Sequence, residues 1–190
     1  MLFLLLCLRT SFIVLNSTNF IDLTGDITED NINHVIKELT YSKPNDIYLY
    51  INTNGGNVDS GLRLIHTLKS TDKNVFCIGE KIISMGFSIF QSCSERIVML
   101  SSTAMQHQMS ISLNGQLYTL IRKLEYLKYI DDYLLRLESK RINLSKNNYK
   151  SLIEHEWWLH GYNIVKHNVA DKVSKVICSK GLNKTLCPLY

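Results

Sequence analysis

The sequence predicts an α/β domain whose strands pack under helices. Three observations carry that prediction. Apolar runs of buried-strand type recur at Ile47-Tyr48-Leu49-Tyr50-Ile51, at residues 75–83 and at Arg96-Ile97-Val98-Met99-Leu100. Amphipathic helical patterns alternate with them, and glycine-containing turns such as Gly55-Gly56 separate the two. At 190 residues, 45% apolar with only 9 Gly and 2 Pro, the chain suits one globular domain with a substantial core.

Charge and cysteines narrow the function classes. The net charge of +4 comes from Lys and Arg scattered along the chain, with no dense basic run, so nucleic acid is not an expected partner. Cys7, Cys77, Cys93, Cys178 and Cys187 make an odd number without short paired spacing. They read as buried thiols of a reducing compartment, not as a disulfide framework or a zinc site. Three Asn-X-Ser/Thr triplets, at Asn16, Asn143 and Asn183, match a sequon that is common by chance.

Residues 1–15 are strongly apolar, but Arg9 interrupts them where a secretory signal has its apolar core. A bilayer span takes ~20 apolar residues, more than this stretch offers. The segment is expected to pack or to face a partner, with targeting as the alternative. Phe20 to Leu23 reads as a short strand and Thr24-Gly25-Asp26 as a turn. Thr28 is placed to cap a helix whose Ile32, Val35, Ile36 and Leu39 share one face. A Pro-containing loop at 42–45 leads into the strand at 47–51, which ends in Asn52-Thr53-Asn54-Gly55-Gly56-Asn57. Paired glycines there either make a plain turn or let the backbone approach a ligand with its N–H groups pointing inward. Phosphate is not that ligand, since neither a P-loop nor a dinucleotide fingerprint is present. A helical pattern follows through Leu62, Leu64, Ile65 and Leu68.

The run at 75–83 ends on Ser84, and a second apolar run opens a helix at Met85. Ser84 therefore falls at a helix N-terminus, where free N–H groups and the positive dipole end favour the negative charge that a serine nucleophile and its oxyanion develop. A simple N-cap serine is the alternative. After the strand at 96–100 a shorter one runs toward Met105-Gln106-His107, with His107 either a core histidine or a base. From 116 to 142 Leu117, Leu120, Leu124, Leu127, Leu134 and Leu137 recur at three or four. Such a helix is ~40 Å long, too long for this domain to cover, so self-association is expected. Ser145 is placed to cap a helix through Leu152 and Ile153. Glu154-His155-Glu156-Trp157-Trp158-Leu159 comes next, then a helix with Val165 on its apolar side and Val169-Ala170-Asp171-Lys172-Val173. His155, Glu156 and His160 lack metal-ligand spacing, and no metal or other cofactor is expected. The tail 179–190 has little periodicity and is expected to be mobile.

At this point the chain resembles the proteolytic subunits of the Clp protease, within the crotonase-like α/β superfamily. Ile47-Tyr48-Leu49-Tyr50-Ile51-Asn52 with Gly55-Gly56 is similar to that family's strand and glycine turn. Ser84-Met85-Gly86 resembles its nucleophile motif, Met105-Gln106-His107-Gln108 its histidine motif, and Gly115-Gln116 with the helix after it the family's handle. Gly161 with Val169 to Val173 resembles the closing segment, so the resemblance covers about residues 19–176. It implies repeated β-β-α units with a protruding handle helix, and three parts of the chain: an apolar segment 1–18, a ClpP-like domain 19–178 with the handle at about 116–142, and a tail 179–190.

The same resemblance implies a serine endopeptidase that cleaves unfolded polypeptides. Ser84 takes the place of the nucleophile, His107 of the general base, and the backbone N–H groups of Gly56 and Met85 of the oxyanion hole. Glu156 falls where the family has an aspartate. Glutamate is longer by one methylene, which changes the reach to His107. The resemblance further implies stacked rings of this chain, or mixed rings with homologues, an ATP-driven AAA+ unfoldase partner, and a cytoplasmic location, or an organellar one with residues 1–15 as a targeting remnant. The bulky Ile82 and Ile83 before the serine, Glu80-Lys81 in place of a glycine turn, and Met109, Ile111 and Ser112 after the histidine depart from the pattern. With Glu156 they favour the alternative of a catalytically impaired structural ring subunit. A membrane-anchored peptidase, favoured if residues 1–15 enter a membrane, and an acyl-CoA enzyme, whose chemistry does not call for a serine with a histidine, are weaker alternatives.

Overall fold

The computed structural model describes residues 12–179 and 182. Its centre is a six-stranded sheet made by alternating strands and helices. The strands β2 (Phe20–Thr24), β3 (Asp46–Thr53), β4 (Asn74–Ile83) and β5 (Glu95–Gln106) lie side by side in parallel. They are joined in turn by α1 (Glu29–Tyr41), α2 (Val58–Ser70) and α3 (Met85–Phe90). Beyond β5, α4 (Leu117–Arg141) and α5 (Lys146–Ile153) lead to β6 (Trp157–His160), which runs antiparallel to β5. The short helix α6 (Tyr162–Lys166) and the two-residue β7 (Lys172–Val173), also on β5, complete this layer.

The strands read as unbroken apolar runs because both of their faces are covered. Ile47, Leu49 and Ile51 of β3 with Val75 and Cys77 of β4 belong to the core under the helices. The residues between them, Tyr48, Tyr50, Phe76 and Ile78, pack into a second cluster on the other face. That face is covered by β1 (Phe12–Leu15), paired in parallel with β8 (Lys175–Cys178), through Ile13, Leu15 and Val176. The apolar N-terminal stretch thus contributes a packed strand from residue 12 onward. Residues 1–11 lie outside the described residues, as does most of the tail whose mobility the sequence led us to expect.

Caps and turns follow the sequence closely. The Thr28 hydroxyl accepts from the Asn31 N–H at 3.2 Å, Asn57 from Ser60 at 2.8 Å, and Ser145 from Asn148 at 3.2 Å. The two strands expected at 96–100 and toward 107 are one, β5. Its pairing with β4 jumps from Gly79↔Val98 to Lys81↔Thr103, so residues 99–102 bulge out. The bulge is pinned by Ser102, whose hydroxyl donates to Gly79 O at 2.6 Å and accepts from Met99 N–H at 2.7 Å. At the other end of β5, buried Arg96 holds the chain before β7. Its guanidinium donates to both carboxylate oxygens of Asp171, to Gln91 and to Asn168 O. Burial works against the Asp171 charge, but Arg96 outweighs it and holds the carboxyl below its ordinary range.

One expectation is corrected. Cys77 and Cys93 are joined as a disulfide, with Cα atoms 5.9 Å apart. Sixteen residues separate them in sequence, and β4 followed by the return through α3 brings them together. Spacing alone could not reveal that. The long helix α4 has a divided character. Ile130, Leu135, Glu138 and Ser139 are buried against the domain, while Tyr118 and Tyr129 are 81% and 78% exposed. Its first half stands clear of the domain as the protruding handle. Among the described residues no helix is long and apolar enough to cross a membrane.

Candidate active site

Ser84 sits between the last residue of β4 and the first of α3, at φ 55° and ψ −123°. Positive φ is costly for a residue with a side chain, of order 1–3 kcal/mol, and persists only where the surroundings hold it. Here the Ser84 N–H donates to Met105 O on β5 at 3.0 Å, and its carbonyl accepts from Phe87 N–H at 2.8 Å. The side chain does not cap α3. Its Oγ instead lies 2.9 Å from Nε2 of His107, the residue that follows β5. Parallel pairing of β4 with β5, Ile83 opposite Met105, is what brings two residues 23 apart in sequence within reach.

The glycine pair lies against this serine. A Cβ on Gly55 would come within 2.7 Å of the Ser84 Cβ, and one on Gly56 within 2.5 Å of Ile27 O. Both have positive φ, 98° and 144°, so only glycine passes through this gap without strain. Around Gly56 the Ile27 N–H donates to Gly55 O and the Asn57 N–H to Ile27 O. These two bonds leave the Gly56 N–H out. Met85 opens α3, and its N–H is one of the donors that a helix cannot satisfy internally. Gly56, Ser84, Met85 and His107 all line one cavity of about 160 Å³.

Glu156 is the residue before β6, whose antiparallel pairing with β5 runs from Thr103↔His160 to Gln106↔Trp157. Glu156 has φ 55°, and its carboxylate accepts from the Trp158 indole N–H at 3.1 Å. Among the described residues the imidazole of His107 has one hydrogen bond, that to Ser84.

Glu156 is not among the residues lining the cavity, whereas two carboxyls of α4 that sequence reasoning missed, Asp131 and Glu138, are. Glu138 of α4 is 2% exposed. Its Oε1 accepts from the Ser88 hydroxyl and, at 2.8 Å, from the Gln106 amide; its Oε2 accepts from the Tyr149 hydroxyl at 2.7 Å. Burial pushes this carboxyl up to about 7 despite the three donors that favour its charge. Burial and the neighbouring Glu138 likewise push the Tyr149 phenol well up. The signal in the sequence was faint: Glu138 falls four residues after Leu134 and three after Leu135, on the inward side of an otherwise charged helix.

Comparison with known proteins agrees with this architecture. The Clp protease family model matches residues 8–176. The chain is 24% identical over 159 residues to the "ATP-dependent Clp protease proteolytic subunit 1" of Borreliella burgdorferi, covering 80% of this chain and 81% of that protein. It is 24% identical to the "ATP-dependent Clp protease proteolytic subunit" of Borreliella afzelii, over 80% of each chain. It is 23% identical to "ATP-dependent Clp protease proteolytic subunit 1" of Prochlorococcus marinus, over 77% of this chain and 79% of that one.

Proposed function

Because this chain belongs to the Clp protease family, we propose that it is a serine endopeptidase subunit in which Ser84 and His107 perform the chemistry. The observation that carries the reading is the 2.9 Å contact between Ser84 Oγ and His107 Nε2, with Ser84 held at positive φ beside the cavity. Ser84 Oγ attacks the scissile carbonyl carbon while His107 Nε2 takes its proton. The oxyanion that forms is received by the N–H groups of Gly56 and Met85. Collapse expels the amine, which takes the proton from His107 and leaves an acyl group on Ser84. Water, deprotonated by His107, then releases the acid. Glu156, the residue before β6, is the acid we assign by resemblance to orient the imidazole, a role that requires its carboxylate to give up the Trp158 indole.

The substrate is an unfolded polypeptide, lying as an extended strand beside residues 56–59 and 109–113 and held through its main chain. Stacked rings of this chain, heptameric by resemblance and joined through the exposed half of α4, enclose the sites. By resemblance an ATP-driven unfoldase partner feeds them; the sequence has no phosphate-binding loop of its own. A second reading, the impaired ring subunit, draws on the engagement of Glu156 by Trp158. Treatment with a serine-directed fluorophosphonate separates the two. The peptidase reading predicts a one-to-one mass adduct on the assembled wild type and none on Ser84→Ala or His107→Ala. An assembled, folded wild type that takes no adduct establishes the second.

A further inference from the structure

We propose that Glu138 is a positioning residue for the Ser84–His107 pair: from the handle helix its carboxyl holds the Gln106 amide, whose oxygen in turn holds the backbone N–H of His107. The inference rests on reading Ser84 as nucleophile and His107 as base. His107 lies just past the end of β5, where the ladder that ordered Ser84 and Met105 has run out. Its N–H donates to Gln106 Oε1 at 3.1 Å. Gln106 Nε2 donates to Glu138 Oε1 at 2.8 Å. The two bonds fix the Gln106 amide one way round. Flipped, it would set its NH2 against the His107 N–H and its oxygen against the carboxylate.

The carboxyl is itself over-determined, by Ser88 of α3 and Tyr149 of α5 as well as by Gln106. Four elements therefore meet at one side chain. Asp131, two turns back on the same face of α4, adds a weak repulsion. Replacing the carboxylate with an apolar group leaves Gln106 without its acceptor, and the imidazole loses the anchor of its own backbone. A displacement of an ångström at a catalytic base costs on the order of 100-fold in rate.

The test is the rate of fluorophosphonate labelling of the assembled protein at pH 8.5, where Glu138 is ionised, together with amide hydrogen exchange at residues 106–108. Glu138→Leu is expected to lower the limiting labelling rate constant about tenfold or more while leaving the inhibitor's KI within about twofold. Exchange at His107 N–H is expected to rise by a similar factor. In a Gln106→Leu background, Glu138→Leu is expected to change neither quantity further, because the route runs through Gln106. If Glu138→Leu does not assemble, Glu138→Asp keeps the charge but withdraws it by one methylene and is expected to give the same slowing. An unchanged limiting rate in a variant that only melts earlier, or an additive effect in the Gln106→Leu background, overturns the proposal. A wild type that never labels overturns the peptidase reading instead, and unchanged exchange at His107 then still overturns the hold by Glu138.

Discussion

At Glu156 one carboxylate has two claimants. Its motif position assigns it to His107, while its oxygen is engaged by the indole of Trp158, two residues along in β6. Trp158 is 53% exposed, and a hydrogen bond in such a setting contributes about 1 kcal/mol, so the competition is nearly balanced. Trp158→Phe keeps the ring and removes the N–H. It is expected to raise the rate of Ser84 labelling a few-fold, while Glu156→Ala lowers it. The labelling rates of the two variants beside wild type check this. If neither substitution moves the rate, Glu156 does not orient the base, and the assignment by motif position fails. Gly55 and Gly56 carry a firmer constraint, because a Cβ at either would meet Ser84 or the backbone of Ile27.

Among the elements, α4 carries both the proposed ring contact and a residue of the candidate site. Its second half packs on the domain and carries Glu138, and its first half exposes Tyr118, Ile121 and Tyr129 at helical spacing. Tyr118→Asp with Tyr129→Asp is expected to halve the mass of the assembly in sedimentation, by separating two stacked rings. The thermal midpoint of the single ring is expected to stay within a few degrees. An undiminished mass would mean that the handle does not join rings. The elements most legible in the sequence were those whose signal is local. β3 and β4 are buried on both faces and appear as apolar runs; α1 and α5 announce themselves through Thr28 and Ser145. β1 was not legible as a strand, because its partner β8 lies at the far end of the chain. Nor was the strand character of Trp157–His160, four residues whose conformation is imposed by β5. Ser84 and His107 were singled out through their motifs. Glu138 was not, since a glutamate in a charged helix looks like a solvated face until tertiary packing buries it.

For the whole molecule, the sheet with helices on one face and the β1–β8 pair on the other fixes where chemistry sits. The candidate residues gather at the C-terminal ends of the parallel strands β3, β4 and β5, where helix N-termini and the glycine turn point their N–H groups. In the stacked rings we propose, these ends would face an enclosed space that only an unfolded chain reaches. The most direct measurement is release of peptides from a permanently unfolded, fluorescently labelled polypeptide by the purified assembly. Wild type is predicted to cleave it and to spare a folded protein of similar size, with Ser84→Ala cleaving neither. Equal cleavage by Ser84→Ala, or none by a fully assembled wild type, would contradict the account.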